Sequence, residues 1–200
     1  CTVNDVKAAV YAVRNRTENV ENRTNEFSMR PEQKEAVDKT EAYFRSAAAE
    51  GYPKFLWNCK MRFGKTFAAY QLAKRMDFKR VLVLTFKPAV VSAWQEDLNT
   101  HKDFEGWLFI SRTTELTYET ADQSRPIVCF GSFQDYLGVD KTTGTIKGRN
   151  EWVHTINWDL VIFDEYHFGA WKENAKKLFE QDDEAVSYTH LRAHETLMNL

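Results

Sequence analysis

Five short apolar runs constrain this chain more than any other feature: Phe55-Leu56-Trp57, Val81-Leu82-Val83-Leu84, Trp107-Leu108-Phe109-Ile110, Ile127-Val128-Cys129-Phe130 and Leu160-Val161-Ile162-Phe163. Each is too short for a helix and lacks the polar alternation of a strand with one wet face, so each is expected to be a strand covered on both sides. Between them lie stretches with helical spacing. One spans 31–49, opened by Pro31 and Glu32, and others span 65–76, 88–98 from Pro88, and a short piece at 132–137. Apolar strands alternating with helices predict an α/β fold, a doubly wound parallel sheet with helices on both faces. Upstream, Val6, Ala9, Val10 and Val13 predict a further helix, followed by a polar linker. The expected organisation is a helix and linker over 1–26, a main domain over 27–185, and a segment 186–200 set apart from both.

That last segment, beginning Val186-Ser187-Tyr188-Thr189-His190-Leu191-Arg192-Ala193-His194, resembles a reading-frame translation of a transposase-type sequencing adapter. It is therefore left out of the fold, with native sequence expected to end near Ala185. His190 and His194 stand one helical turn apart, the spacing of a metal pair, but no third ligand accompanies them.

A chain of 200 residues, 43% hydrophobic, has enough apolar content for one core. No apolar stretch approaches membrane-spanning length, which argues against a membrane role. The chain opens on Cys1 without a charged and apolar leader, so its start reads as a fragment edge and export is not expected. Cys1, Cys59 and Cys129 form no C-x-x-C pair, and a reducing, cytoplasmic location is expected. The net charge of −2 lends nothing to nucleic-acid binding, so any such reading rests on motifs.

The first motif is Cys59-Lys60-Met61-Arg62-Phe63-Gly64-Lys65-Thr66, a phosphate-loop pattern with Cys in place of the first Gly. It joins an apolar strand to a helix. Backbone amides of Cys59, Met61, Arg62, Phe63 and Gly64, with the positive helix end, can cradle the phosphates of ATP. Lys65 is expected to reach the β- and γ-phosphates and Thr66 to place its hydroxyl on Mg²⁺. Gly64 allows close backbone approach. The second motif, Asp164-Glu165-Tyr166-His167, follows the 160–163 strand, where ligands of open α/β sheets bind. Asp164 is the expected Mg²⁺ ligand and Glu165 the residue that polarises the attacking water. Standing alone, an acidic pair after a strand also reads as a solvated turn.

Together the two motifs resemble motifs I and II of the DExH group of helicase superfamily two. With Met29-Arg30-Pro31-Glu32-Gln33 and Thr85-Phe86-Lys87-Pro88 in order, residues 27–175 resemble the ATPase domain of restriction-enzyme-type helicases. The resemblance implies a RecA-like domain, the first of two motor domains, that binds and hydrolyses ATP with Mg²⁺. It implies that His167 couples hydrolysis to motion and that Gln33 reads adenine, although Gln33 is equally an ordinary helical glutamine. Phe27 then either stacks on the base or anchors the linker. Thr85, Lys87 and Ser132 take the family's nucleic-acid positions, through backbone amides and few cations. DNA is the expected partner, with nuclease or methylase modules in cis or trans. Lys141, Lys147 and Arg149, in the polar 138–158 excursion, are either strand contacts or solvated loop charges. The alternative function is a nucleotide-dependent, nucleic-acid-binding switch without translocation. The second domain's arginine finger is absent from these residues, so hydrolysis by the chain alone is expected to be slow.

Overall fold

The computed structural model describes residues 23–47, 53–85, 88–136, 151–164 and 187–193, the last by backbone alone. The apolar runs form β1 (Lys54–Cys59), β2 (Arg80–Thr85), β3 (Leu108–Ile110), β4 (Ile127–Ser132) and β5 (Leu160–Asp164). With β6 (Ser187–Ala193) they build a sheet of order β1-β6-β5-β2-β4-β3, parallel at every pairing. Parallel neighbours cannot be joined by a tight hairpin, so the chain crosses a face of the sheet between them. Helix α1 (Pro31–Ala47) precedes β1, and the crossings carry α2 (Lys65–Arg75), α3 (Val91–Thr100), α4 (Phe133–Tyr136) and α5 (Glu151–Thr155).

Successive residues of a strand face opposite ways, and the core divides accordingly. Val81, Val83, Leu160 and Ile162 pack with Val37, Phe44, Leu72, Trp94 and Leu98 from α1, α2 and α3. Leu82, Leu84, Val161 and Phe163 pack with Leu116, Phe133, Tyr136, Val153 and Trp158 on the other face. The sheet is covered on both sides, as the doubly wound reading requires. β1 is the exception. It is an edge strand with Leu56 56% exposed, because only its α1-facing side, through Trp57, is buried.

The element bounds shift modestly. α1 is described to Ala47, and α2 stops at Arg75, with the Met76 amide donating to Leu72 O as its cap. The helix after β2 opens as a 3₁₀ turn (Pro88–Val90) and continues to Thr100. α4 is only four residues long because Ser132 still belongs to β4. The larger difference is the C-terminal segment. Sequence reading sets 186–200 outside the fold, yet 187–193 lies as a strand between β1 and β5, in register with both. The physical reason is the lane between β1 and β5, whose two edges each present a row of backbone donors and acceptors. A stretch with Tyr, Thr and Leu suits a strand there. That placement is independent of the segment's resemblance to an adapter. The expected helix with Val6, Ala9, Val10 and Val13, the loop cations Lys141, Lys147 and Arg149, and the His190 and His194 side chains lie outside what is described. Among the described residues no helix is long and apolar enough to cross a membrane.

Candidate functional site

β1 delivers the chain to the 60–64 loop, which turns it into α2. Two residues of this turn have left-handed backbones, Arg62 at φ 61° and Gly64 at φ 75°. The Phe63 amide donates to Lys60 O at 3.2 Å and closes the turn. Gly64 is the residue that caps α2 and has no side chain to occupy the first-turn amides. Those amides stay available to an outside acceptor at the positive end of the helix. Cys59, at the end of β1, is buried, and its thiol is pushed up from 9.0 to about 11 by burial, with Asp164 adding to the rise and Lys65 opposing it. It is a neutral packing residue under the loop. Met61 projects outward at 68% exposure, while Phe63 packs edge-on against Trp57.

Asp164 ends β5 with its side chain 1% exposed, and the Lys65 ammonium forms an ion pair with its Oδ1. Oδ2 accepts a hydrogen bond from Trp94 Nε1 at 2.9 Å, whereas Oδ1 accepts none. A buried carboxylate is tolerated only where opposite charge and donors surround it, and among the described residues Oδ1 has Lys65 alone. Thr66, 8% exposed, follows Lys65 in the first turn of α2. The sheet register aligns Asp164 with Thr85 and Thr85 with Ser132, so the three stand in a row along the carboxyl edge. Thr85 and Ser132 are themselves buried, and only their backbone position reaches that edge. Glu165, His167 and Lys87 lie outside the described residues.

Two side chains from the start of α1 tie down the loop. Gln33, 4% exposed, donates through Nε2 to Phe63 O at 2.8 Å and Gly64 O at 3.2 Å, and accepts from the Arg30 amide at 2.8 Å. Arg30 Nη2 donates to Arg62 O at 2.9 Å and also to Phe63 O. The carbonyls of Arg62, Phe63 and Gly64 are thus held by side chains at the start of α1. Gln33 therefore grips the loop, and it reaches a base only by giving up one of these bonds.

Sequence reading missed two residues here. Trp94, buried in α3, donates to Asp164 across 70 positions of sequence, and its own carbonyl accepts from Tyr70 OH at 2.9 Å. His101, 2% exposed, contacts Phe27 O through Nε2 at 2.8 Å. No spacing rule marks either. Trp94→Phe keeps an aromatic ring but removes the donor together with the pyrrole half of the indole, leaving Asp164 Oδ2 unmet. Denaturant unfolding is expected to show a loss of about 1–3 kcal/mol. An unchanged midpoint would mean the bond is incidental.

The family described as the res subunit of type III restriction enzymes matches residues 26–188, which reaches the first residues of β6. A putative type II restriction enzyme and methyltransferase C-terminus from Mycoplasma pneumoniae is 33% identical over 164 residues. That alignment covers 80% of this chain and 23% of the relative, so the chain spans about a quarter of the curated protein it matches. Among solved structures, the UvsW helicase of bacteriophage T4 superposes with a TM-score of 0.57 at 15% identity, covering 84% of this chain and 54% of that one. A Sulfolobus solfataricus SWI2/SNF2 ATPase core in complex with double-stranded DNA gives 0.54 at 17%, covering 86% and 33%. A nuclease-deletion mutant of the Type ISP restriction-modification enzyme LlaGI, in complex with a DNA substrate mimic, gives 0.54 at 14%, covering 84% and 18%. These likenesses place the fold with RecA-like helicase ATPase cores. The match over most of its length makes the chain a member of the type III restriction enzyme res subunit family, a helicase-type ATPase domain.

Proposed function

We propose that this chain binds Mg²⁺-ATP at the carboxyl edge of its sheet and is the ATP-hydrolysing first motor half of a DNA helicase or translocase, within a restriction-modification system. The observation that carries this reading is the Lys65–Asp164 pair beside the uncapped start of α2. Cation, buried carboxylate and uncapped helix amides converge at the carboxyl edge of the sheet, where ligands of open α/β sheets bind and helix N-termini hold phosphates.

The residues fit magnesium. Asp164 Oδ1 is buried and accepts no hydrogen bond, an acceptor ready for a cation in place of Lys65. Among the described residues no group of three or more His, Cys, Asp or Glu could form an all-protein cage. One carboxylate with the Thr66 hydroxyl suits a metal that takes its remaining ligands from water and phosphate. Bound there, Mg²⁺ would neutralise charge developing on the β- and γ-phosphates. Lys65, released from Asp164 by the incoming anion, pairs with the phosphates, and the 60–64 amides donate to their oxygens. Glu165 polarises the attacking water, and His167 passes the nucleotide state to the second motor half. Thr85 and Ser132, at the same edge, border the DNA through backbone amides and Lys87 contacts its phosphates, which suits a near-neutral domain. The DNA-bound relatives named above support this partner, and their lengths support nuclease or methylase modules alongside.

The test is calorimetric titration of Mg²⁺-ATP into the chain, followed by phosphate-release assays with and without linear duplex DNA. Binding is expected, with slow turnover, because an arginine finger supplied by a partner domain is worth about 10³ to 10⁵ in rate. Absence of binding at millimolar Mg²⁺-ATP overturns the reading. DNA binding that responds to ATP in the longer protein, without DNA-stimulated hydrolysis, would favour the non-translocating switch.

A further inference from the structure

Segment 23–27 crosses the C-terminal end of α3 as an extended strap. The Asn25 amide donates to Thr100 O at 3.1 Å and the Lys102 amide to Asn25 O at 3.0 Å, while Arg23 Nη1 donates to Leu98 O and His101 O. The strap ends on Phe27, whose ring is 51% exposed although it packs on Phe67 and on His101, each at 4.7 Å between centroids. Phe67 belongs to the first turn of α2, next to Thr66. One face of Phe27 is thus pinned beside the phosphate end of the site, and the rest stays open.

His101 holds this arrangement by both ring nitrogens. Nδ1 accepts from the Asp103 amide at 3.1 Å, which leaves Nε2 to carry the proton and donate to Phe27 O at 2.8 Å. Phe67 and Phe104 flank the imidazole, so its plane is fixed by packing. We infer that His101 is a positioning residue of the nucleotide site: through the Phe27 carbonyl and ring it sets the aromatic surface on which the purine base of the nucleotide rests. This rests on the nucleotide reading above and extends it to a residue that touches neither base nor phosphate. A flat ring surface recognises the π-face of a base, whereas phosphates need only the loop, Lys65 and Asp164. His101 therefore governs the base's share of affinity and leaves the triphosphate's share alone.

The test compares Mg²⁺-ATP with Mg²⁺-tripolyphosphate on the same 200-residue chain by calorimetry. His101→Phe keeps a packed ring and loses both hydrogen bonds. It is expected to weaken ATP about tenfold, the scale of one lost base-stacking contact, and tripolyphosphate less than about twofold. His101→Gln, which can again donate to the Phe27 carbonyl, is expected to recover most of the ATP affinity. Phe27→Leu should lose the same selectivity with His101 intact, and it carries the test if His101→Phe does not fold. Equal weakening of both ligands, or of neither, overturns the proposal. A parent chain that binds the two ligands equally overturns it too while leaving the phosphate site standing, and a parent that binds neither removes both readings.

Discussion

Lys65→Ala is expected to reduce Mg²⁺-ATP affinity by about a hundredfold, the equivalent of about two charge-assisted hydrogen bonds. It is also expected to destabilise the chain, because Asp164 is 1% exposed and, among the described residues, Lys65 is the only partner of its Oδ1. Removing one member of a buried pair costs about 3–5 kcal/mol, but the Lys65 side chain is 21% exposed and water replaces part of its charge, so about 2–3 kcal/mol is expected. The two losses separate in a double variant. Lys65→Ala with Asp164→Asn removes the buried charge, keeps an acceptor for Trp94 Nε1, and should regain most of the stability with none of the binding. Denaturant unfolding and calorimetry of the parent and the two variants read both quantities. Nucleotide affinity that survives Lys65→Ala would move the site away from this pair.

Gly64→Ala is the second large effect expected. Its φ of 75° is left-handed, which costs an alanine about 1–2 kcal/mol. A Cβ there would also stand 2.6 Å from Gln33 Nε2, the group that donates to Phe63 O and Gly64 O. Gln33 must move, its two bonds weaken, and the total loss is expected at roughly 2–4 kcal/mol. Nucleotide binding should fall with it, because the same bonds fix the loop carbonyls and with them the shape of the turn. In a Gln33→Ala background the collision disappears and only the backbone cost remains, so the two substitutions should be non-additive. Strict additivity in unfolding free energy would show that Gln33 does not grip the loop.

Much of the site was legible because its parts are local. Gly64, Lys65 and Thr66 form a contiguous signal at a strand-to-helix turn, and Asp164 ends an apolar run, so both motifs could be assigned to sheet edges without knowing the sheet. Gln33 was visible as a residue, but its partner was not: an amide in α1 holds carbonyls about thirty positions away. Thr85 and Ser132 were expected at the edge and stand there, yet both are buried, since a residue closing an apolar strand is covered by the helices that follow it. Trp94 belongs to no motif. Its hydrogen bond to Asp164 became visible only when α3 was laid against β5.

By itself the sequence determined the alternation of strands and helices, the burial of β2, β4 and β5 on both faces, and the strand-to-helix loop ahead of Lys65, because periodicity and turn chemistry act over a few residues. Only the tertiary structure decided the strand order, the lane taken by residues 187–193, and the contacts of Asp164 with Trp94 and of Phe27 with His101. Those pairs lie 70 and 74 positions apart. No spacing rule reaches so far, and packing of the helices onto one face of the sheet is what brings them within hydrogen-bond distance.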